Sequence, residues 1–223
     1  MFVGVSLGAG GVLLLAQMNE YGVDRTTIGI TFFTGSAGFA LASLSNGLLI
    51  HRLGVRMPLA VGSGAYVLAG LCLAARPPFA AFVAVQLLAG YGTGILESVL
   101  TTYLAALPGA TTLVNRLHAF FGVGALIGPA FAAWMVGFAP WTVVMLVLAV
   151  AGVPLVAGFL AAYPRALSAG PRSKSVDHGT VGGDSPGSAR HLVAALRDPG
   201  VLRGAAMLLV YVGLEVGVSN WGF

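Results

Sequence analysis

Residues 46–58 read Asn-Gly-Leu-Leu-Ile-His-Arg-Leu-Gly-Val-Arg-Met-Pro, and the place of this short basic stretch between two long apolar ones decides the fold. Upstream the chain is mostly apolar from about Thr27 to Ile50. Downstream it is apolar from Pro58 to Ala75. Both runs are close to the roughly 20 residues that a helix needs to cross a bilayer. A tight link carrying His51, Arg52 and Arg56 between two such runs is a turn between membrane-spanning helices. Its charge also fixes which side of the membrane the turn faces, because short cytoplasmic loops carry an excess of Lys and Arg.

Composition extends that reading to the whole chain. Hydrophobic residues make up 57 % of it and charged residues 8 %, against about 25 % charged in a soluble domain. The mean hydropathy is +0.92. So few charges cannot cover the surface of a soluble fold, and lipid is the natural solvent. The excess of 11 Lys+Arg over 7 Asp+Glu then belongs to loops, not to nucleic-acid binding. The 33 glycines suit helices that approach one another closely in a membrane. Cys72 is the single cysteine, so no intrachain disulfide forms.

Working outward from the link, seven apolar runs are expected to form helices: Phe2 to Met18, Thr27 to Ile50, Pro58 to Ala75, Phe79 to Leu107, Thr112 to Val136, Trp141 to Tyr163, and a run from Val201 to the end. Arg76-Pro77-Pro78, Pro108-Gly109 and Ala139-Pro140 punctuate them. The polar segment from Pro164, rich in Gly, Ser and Pro, separates the sixth run from the seventh. With alternating sides, nine basic residues fall on the side of the 46–58 link and two, Arg25 and Arg76, on the other. The N-terminus and the long segment are therefore expected in the cytoplasm of a multi-pass protein of the inner or plasma membrane. The organisation reads as a six-helix bundle over 1–163, a cytoplasmic linker over 164–199, and the first helix of a second half over 200–223. A missing C-terminal half, or a complementary one, is the expected partner.

The link itself, Gly47-x-x-x-His51-Arg52-x-Gly54-x-Arg56, resembles the loop 2–3 signature of the major facilitator superfamily, Gly-x-x-x-Asp-Arg-x-Gly-x-Arg-Arg. His51 stands for the acidic residue and Met57 for the last basic one. Gln86-x-x-x-Gly90-x-Gly92 resembles the Arg-x-x-x-Gly-x-Gly of helix four. Gly124-x-x-x-Gly128-Pro129 resembles the Gly-Pro motif of helix five. The resemblance implies an all-α integral membrane fold of 3+3 inverted repeats, with a bundle that rocks against a second one around a midplane site. It also implies that the 47–56 loop latches the two halves. Within the superfamily, Asn115-Arg-Leu-His-Ala-Phe-Phe-Gly-Val-Gly124 and Tyr211-Val-Gly-Leu-Glu215-Val-Gly-Val-Ser-Asn-Trp221 resemble the fucose permease-like branch. This implies uptake of a small polar solute, a sugar, coupled to protons; the alternatives are a drug or metabolite efflux antiporter of the same superfamily, or a half-transporter that is inactive alone.

Five residues are candidates for the chemistry. Glu97 lies well inside the fourth run, where an ionised carboxylate costs about 3 kcal/mol or more. It is expected to face the bundle interior or a cavity, as a proton-coupling group or as a hydrogen bond between helices. Helices four and five are antiparallel about Pro108-Gly109, so Glu97 and His118 lie at the same depth, about 15 Å from the turn at about 1.5 Å per residue. Imidazole titrates near neutral pH, so the pair can hand over a proton if both share a face. Asn115, one turn from His118, is a candidate contact for a sugar hydroxyl. Glu215 and Trp221 add the carboxylate and the aromatic plate that sugar sites use, Trp221 having an interfacial anchor as its other reading.

Other membrane functions fit poorly. A retinal protein needs a Lys in its last helix, and Lys174, the sole lysine, lies in the polar segment. Ser63 follows Val61-Gly62, so the Gly-x-Ser-Gly of a rhomboid-type protease fails. No His-Glu-x-x-His and no nucleotide-binding motif is present. No enzyme activity, cofactor or metal is expected.

Overall fold

The computed structural model describes residues 1–162 and, within 199–210, residues 199, 200, 202–204, 206, 207 and 210. The chain divides into two compact units, Met1–Ser168 and Ala169–Phe223. The described residues of the second are helical. The first unit holds six helices: α1 (Phe2–Tyr21), α2 (Arg25–Leu53), α3 (Arg56–Ala74), α4 (Phe79–Ala105), α5 (Ala110–Val136) and α6 (Trp141–Ala162). All six are long and apolar enough to cross a membrane. The fold is all-α and multi-pass.

The helix ends follow from local chemistry. Gly22 stops α1 in the left-handed region, φ 62°, and its N–H donates to the Met18 carbonyl. Gly54 ends α2 at φ 71°, the tight turn expected of the 46–58 link and one that an L side chain strains. Asp24 caps α2, its Oδ1 accepting from the Thr27 N–H at 2.8 Å. The Thr27 hydroxyl and amide together hold the Asp24 carboxyl below the usual carboxylate range. Because the folded value is depressed, the cap's contribution is present above the unfolded carboxylate range and lost as pH falls through the folded value. Hydrogen exchange of the first α2 amides is therefore expected to speed up on acidification below about pH 4 in the wild type. In Asp24→Asn, which keeps a capping oxygen, it is expected to change little. Equal acid sensitivity in both would refute the assignment.

Packing follows the small residues. In lipid no hydrophobic force drives helices together, so close backbone approach does the work. α1 packs on α5 and α2 on α4, while α3 lies between α4 and α6. Gly4 and Gly8 of α1 face the backbone of Phe121 and Ala125, and Gly124 and Gly128 of α5 face that of Met1, Val5, Gly8 and Ala9. Gly38 of α2 faces Leu87 and Tyr91; Gly90 and Gly94 of α4 face Gly35 and Phe39. Each seam thus pairs a Gly-x-x-x-Gly with small residues opposite. Exchanging helices 1–3 for 4–6 turns α1·α5 into α4·α2 and leaves α3·α6 unchanged, which is the 3+3 inverted repeat.

The second signature glycine has a separate duty. Two residues along a helix turn the direction by about 200°, from 3.6 residues per turn. Gly92 accordingly points away from Gly90, toward the Gly62 carbonyl and the Tyr66 amide of α3. Gly-x-Gly is what a helix needs when flanked closely on opposite sides. Gly47 behaves otherwise. It is exposed, and a Cβ there would meet no atom within 4 Å among the described residues.

Two apolar clusters fill the bundle. One, around Leu13, Ile28, Phe82 and Trp141, lies at the end where α1 stops. There the Tyr21 hydroxyl donates to the Pro77 carbonyl at 2.9 Å, and Arg76 approaches Glu20 at 3.6 Å. The other, around Leu59, Ile95, Leu96 and Val99, lies toward the end carrying the 46–58 link. Beside it the Asn46 amide donates to Thr102 Oγ1 at 3.1 Å, tying α2 to α4.

Candidate functional site

The inverted repeat is incomplete at one seam, and the candidate site lies there. By the helix exchange, α6 should lie along α1 as α3 lies along α4. α3 and α4 pack along much of their length, whereas α1 and α6 touch at few points. A cavity of about 160 Å³ remains between the start of α1, α4, α5 and the second half of α6. Pro154, inside α6, precedes Leu155, the first residue that α6 gives to the wall.

Glu97 and His118 both line this cavity. The sequence placed them at equal depth; the structure adds that they share a face. Glu97 is half-buried and His118 exposed in the isolated bundle. His118 Nδ1 lies 3.0 Å from the Val114 carbonyl oxygen. A carbonyl can only accept, so Nδ1–H is the donor in this contact. The rest of the wall is apolar. α4 gives Leu96 and Leu100, α5 gives Leu117 and Phe121, α6 gives Leu155 and Phe159, and α1 gives Phe2 and Val3, with Met1 just before it.

Asn115 is exposed and is not part of this wall; the position one turn on from His118 that does contribute is Phe121. Glu215 and Trp221 lie outside the described residues. His51, Arg52 and Arg56 sit at the α2–α3 turn, with His51 and Arg52 exposed and Arg56 half-buried. The sequence reading missed the aromatic lining. The signal was present in His118-Ala-Phe-Phe121, where a ring stands one turn from the imidazole. Phe2 and Phe159 had no local signal, because only the packing of α1 and α6 brings them in.

A larger open groove, about 590 Å³, lies at the opposite end among Asn19, Glu20, Phe138 and Trp141. None of the residues selected from sequence lines it, and its acid, Glu20, is beside Arg76. The smaller cavity is the better candidate because two titratable side chains inside a membrane bundle are costly to place without a use. No cluster of His, Cys, Asp or Glu suited to a metal ion occurs among the described residues.

Comparison with known proteins gives a consistent picture. Residues 1–223 match the family model of the Major Facilitator Superfamily. The chain is 28 % identical to a gallate transporter of Pseudomonas putida, across 66 % of this chain and 33 % of that protein. It is 24 % identical to Bypass of stop codon protein 6 of Saccharomyces cerevisiae, across 96 % of this chain and 46 % of that protein. The chain thus spans less than half the length of these curated relatives. No solved structure matches it significantly.

Proposed function

The chain belongs to the Major Facilitator Superfamily, and on that premise we propose that it supplies the N-terminal half of a secondary transporter that moves a small solute together with protons by alternating access. The observation that carries the coupling is the shared cavity of Glu97 and His118, a carboxylate and an imidazole that can exchange a proton as the cavity's access changes. The end bearing Arg52, Arg56 and Arg116 is cytoplasmic, by the excess of basic residues there. The long faces of α2 and α5 that carry Phe33, Leu44, Phe120 and Leu126, all exposed in the isolated bundle, are shared between lipid and the second half. Gly47 lies on the exposed side of α2, where a helix of that second half can approach its backbone, and the basic α2–α3 turn is the latch between the halves.

A sugar substrate rests on Asn115, Glu215 and Trp221, and the relative that transports gallate points to a different solute. The test is uptake of labelled hexoses and of labelled benzoate by cells expressing the complete reading frame, under an inward proton gradient. One of them is expected to accumulate, and a protonophore is expected to abolish the accumulation. Accumulation that survives the protonophore would remove proton coupling. Proton-driven export of either solute would favour the antiporter reading.

A further inference from the structure

We infer that the six-helix bundle is jointed: the α1·α5 pair swings against the group of α2, α3, α4 and α6, and the hydrogen bond from Tyr66 to Ser6 is the catch that holds it in the position seen. The direction in which the glycines face marks the divide. Gly4 and Gly8 of α1 and Gly124 and Gly128 of α5 all face the other member of the pair. Within the group, Gly90 and Gly94 seat α4 on α2, Gly62 and Gly92 seat α3 on α4, and Gly70 of α3 meets Ala149 of α6. The pair meets the other four helices at few points. The cavity of Glu97 and His118 opens along the same line, with α4 and α6 on one side and α1 and α5 on the other. At the outer end the divide is filled by Leu13, Phe82 and Trp141. Contact between such apolar side chains has no preferred direction, so they tolerate a tilt of one part against the other.

The catch lies deeper, halfway along α3. The Tyr66 hydroxyl donates to Ser6 Oγ at 2.5 Å. Ser6 Oγ in turn donates to the Phe2 carbonyl, one turn back in α1, at 3.3 Å. The Phe2 ring stands edge-on to Tyr66, with centroids 5.5 Å apart at 82°. A Cβ at Gly152 of α6 would come within 3.4 Å of that ring, so the missing side chain leaves a notch for Phe2 beside α3. One hydroxyl pair and one ring thus hold α1 to α3 here. Such a tie can let go. Ser6 keeps its bond within α1 when Tyr66 leaves, so release strands a single hydroxyl, that of Tyr66. A hydrogen bond between membrane helices shifts an equilibrium by roughly three- to thirtyfold. That is enough to favour the held position and too little to forbid the other. The catch is independent of which solute is carried.

The test is double electron–electron resonance on the protein from the complete reading frame in phosphatidylcholine nanodiscs, with Cys72 and any further cysteine replaced by Ser. One pair of spin labels spans the divide, at Leu126→Cys of α5 and Leu68→Cys of α3. A second pair stays inside the group, at Leu44→Cys of α2 and Leu68→Cys. All three positions are exposed in the isolated bundle. With Ser6 and Tyr66 intact, each label pair is expected to give one dominant distance. Tyr66→Phe keeps the ring and removes the hydroxyl. It is expected to raise the population of a second distance across the divide about three- to thirtyfold, with the pair inside the group unchanged. Ser6→Ala removes the same bond from the other helix and is expected to match it, which keeps the result decisive where Tyr66→Phe folds poorly. Ser6→Thr keeps a hydroxyl and is expected to stay like the wild type. General loosening of the bundle would move both label pairs. An unchanged distribution across the divide in Tyr66→Phe and Ser6→Ala, equal broadening in both label pairs, or Ser6→Thr behaving like Ser6→Ala would each overturn the inference.

Discussion

Replacing Glu97 by Gln in the complete transporter is expected to abolish uphill, proton-driven uptake while solute exchange across the membrane continues. The amide keeps the size of the carboxyl and its hydrogen-bonding reach but cannot take up and release a proton. Exchange needs the solute site to alternate between sides, not a net proton. The expected effect is large because one pH unit is about 1.4 kcal/mol, so an imposed gradient of about two units supports about 100-fold accumulation per coupled proton. In Glu97→Gln that ratio is expected to fall to about one, whereas counterflow from preloaded vesicles stays within severalfold of wild type. Retained accumulation would assign Glu97 to holding the helices together. Loss of counterflow as well would place it in solute binding and not in coupling alone.

The second large effect concerns the α2·α4 seam. A Cβ at Gly90 would overlap the Gly35 carbonyl oxygen, and the neighbouring Gly35 atoms lie behind it. The obstacle is backbone, so no rotamer change relieves it, and α2 must move off α4. Overpacking of this kind costs about 1–3 kcal/mol, a large part of a stability of about 5–15 kcal/mol. Gly90→Ala is expected to lower the thermal midpoint of the detergent-solubilised chain by several degrees and to cut folded yield. Gly122→Ala is the matched control. The same Cβ there meets nothing within 4 Å, and Ala is favoured over Gly in a helix by about 1 kcal/mol, so the midpoint is expected to stay or rise. Equal midpoints for the two variants would contradict the packing of the seam.

Much of this architecture was legible before any coordinates. The positions of α1 to α6 followed from apolar length and from the proline and glycine breaks, with ends displaced by a few residues at most; most of the seventh run, from Val201, lies outside the described residues. α1 runs to Tyr21 instead of Met18, because Asn19 and Glu20 continue the helix as far as the Gly22 stop. The equal depth of Glu97 and His118 followed from counting back from a turn. Their common face did not, because the azimuth of each helix is set by its neighbours: Gly90 and Gly92 for α4, Gly124 and Gly128 for α5. Asn115 shows the limit of one-turn spacing. It shares a general direction with His118, yet the cavity reaches His118 and Phe121 and stops short of it. The cavity itself was invisible because it depends on α6 standing off from α1, and the sequence of α6 is apolar all round, with nothing to mark one side.

The glycines of α4 have a mechanical consequence. With Gly90 and Gly94 seated against one neighbour and Gly92 against the other, α4 behaves like a shaft keyed in two slots. It can neither spin nor slip by a turn without driving a side chain into a carbonyl. Helices α2, α3 and α4 therefore travel as one stiff body, and Glu97 rides on it at a fixed height. With α6 seated along α3, any play in the bundle falls between this body and the α1·α5 pair, which touches it at few points, so the carboxylate rides on one part of the device and the imidazole on the other.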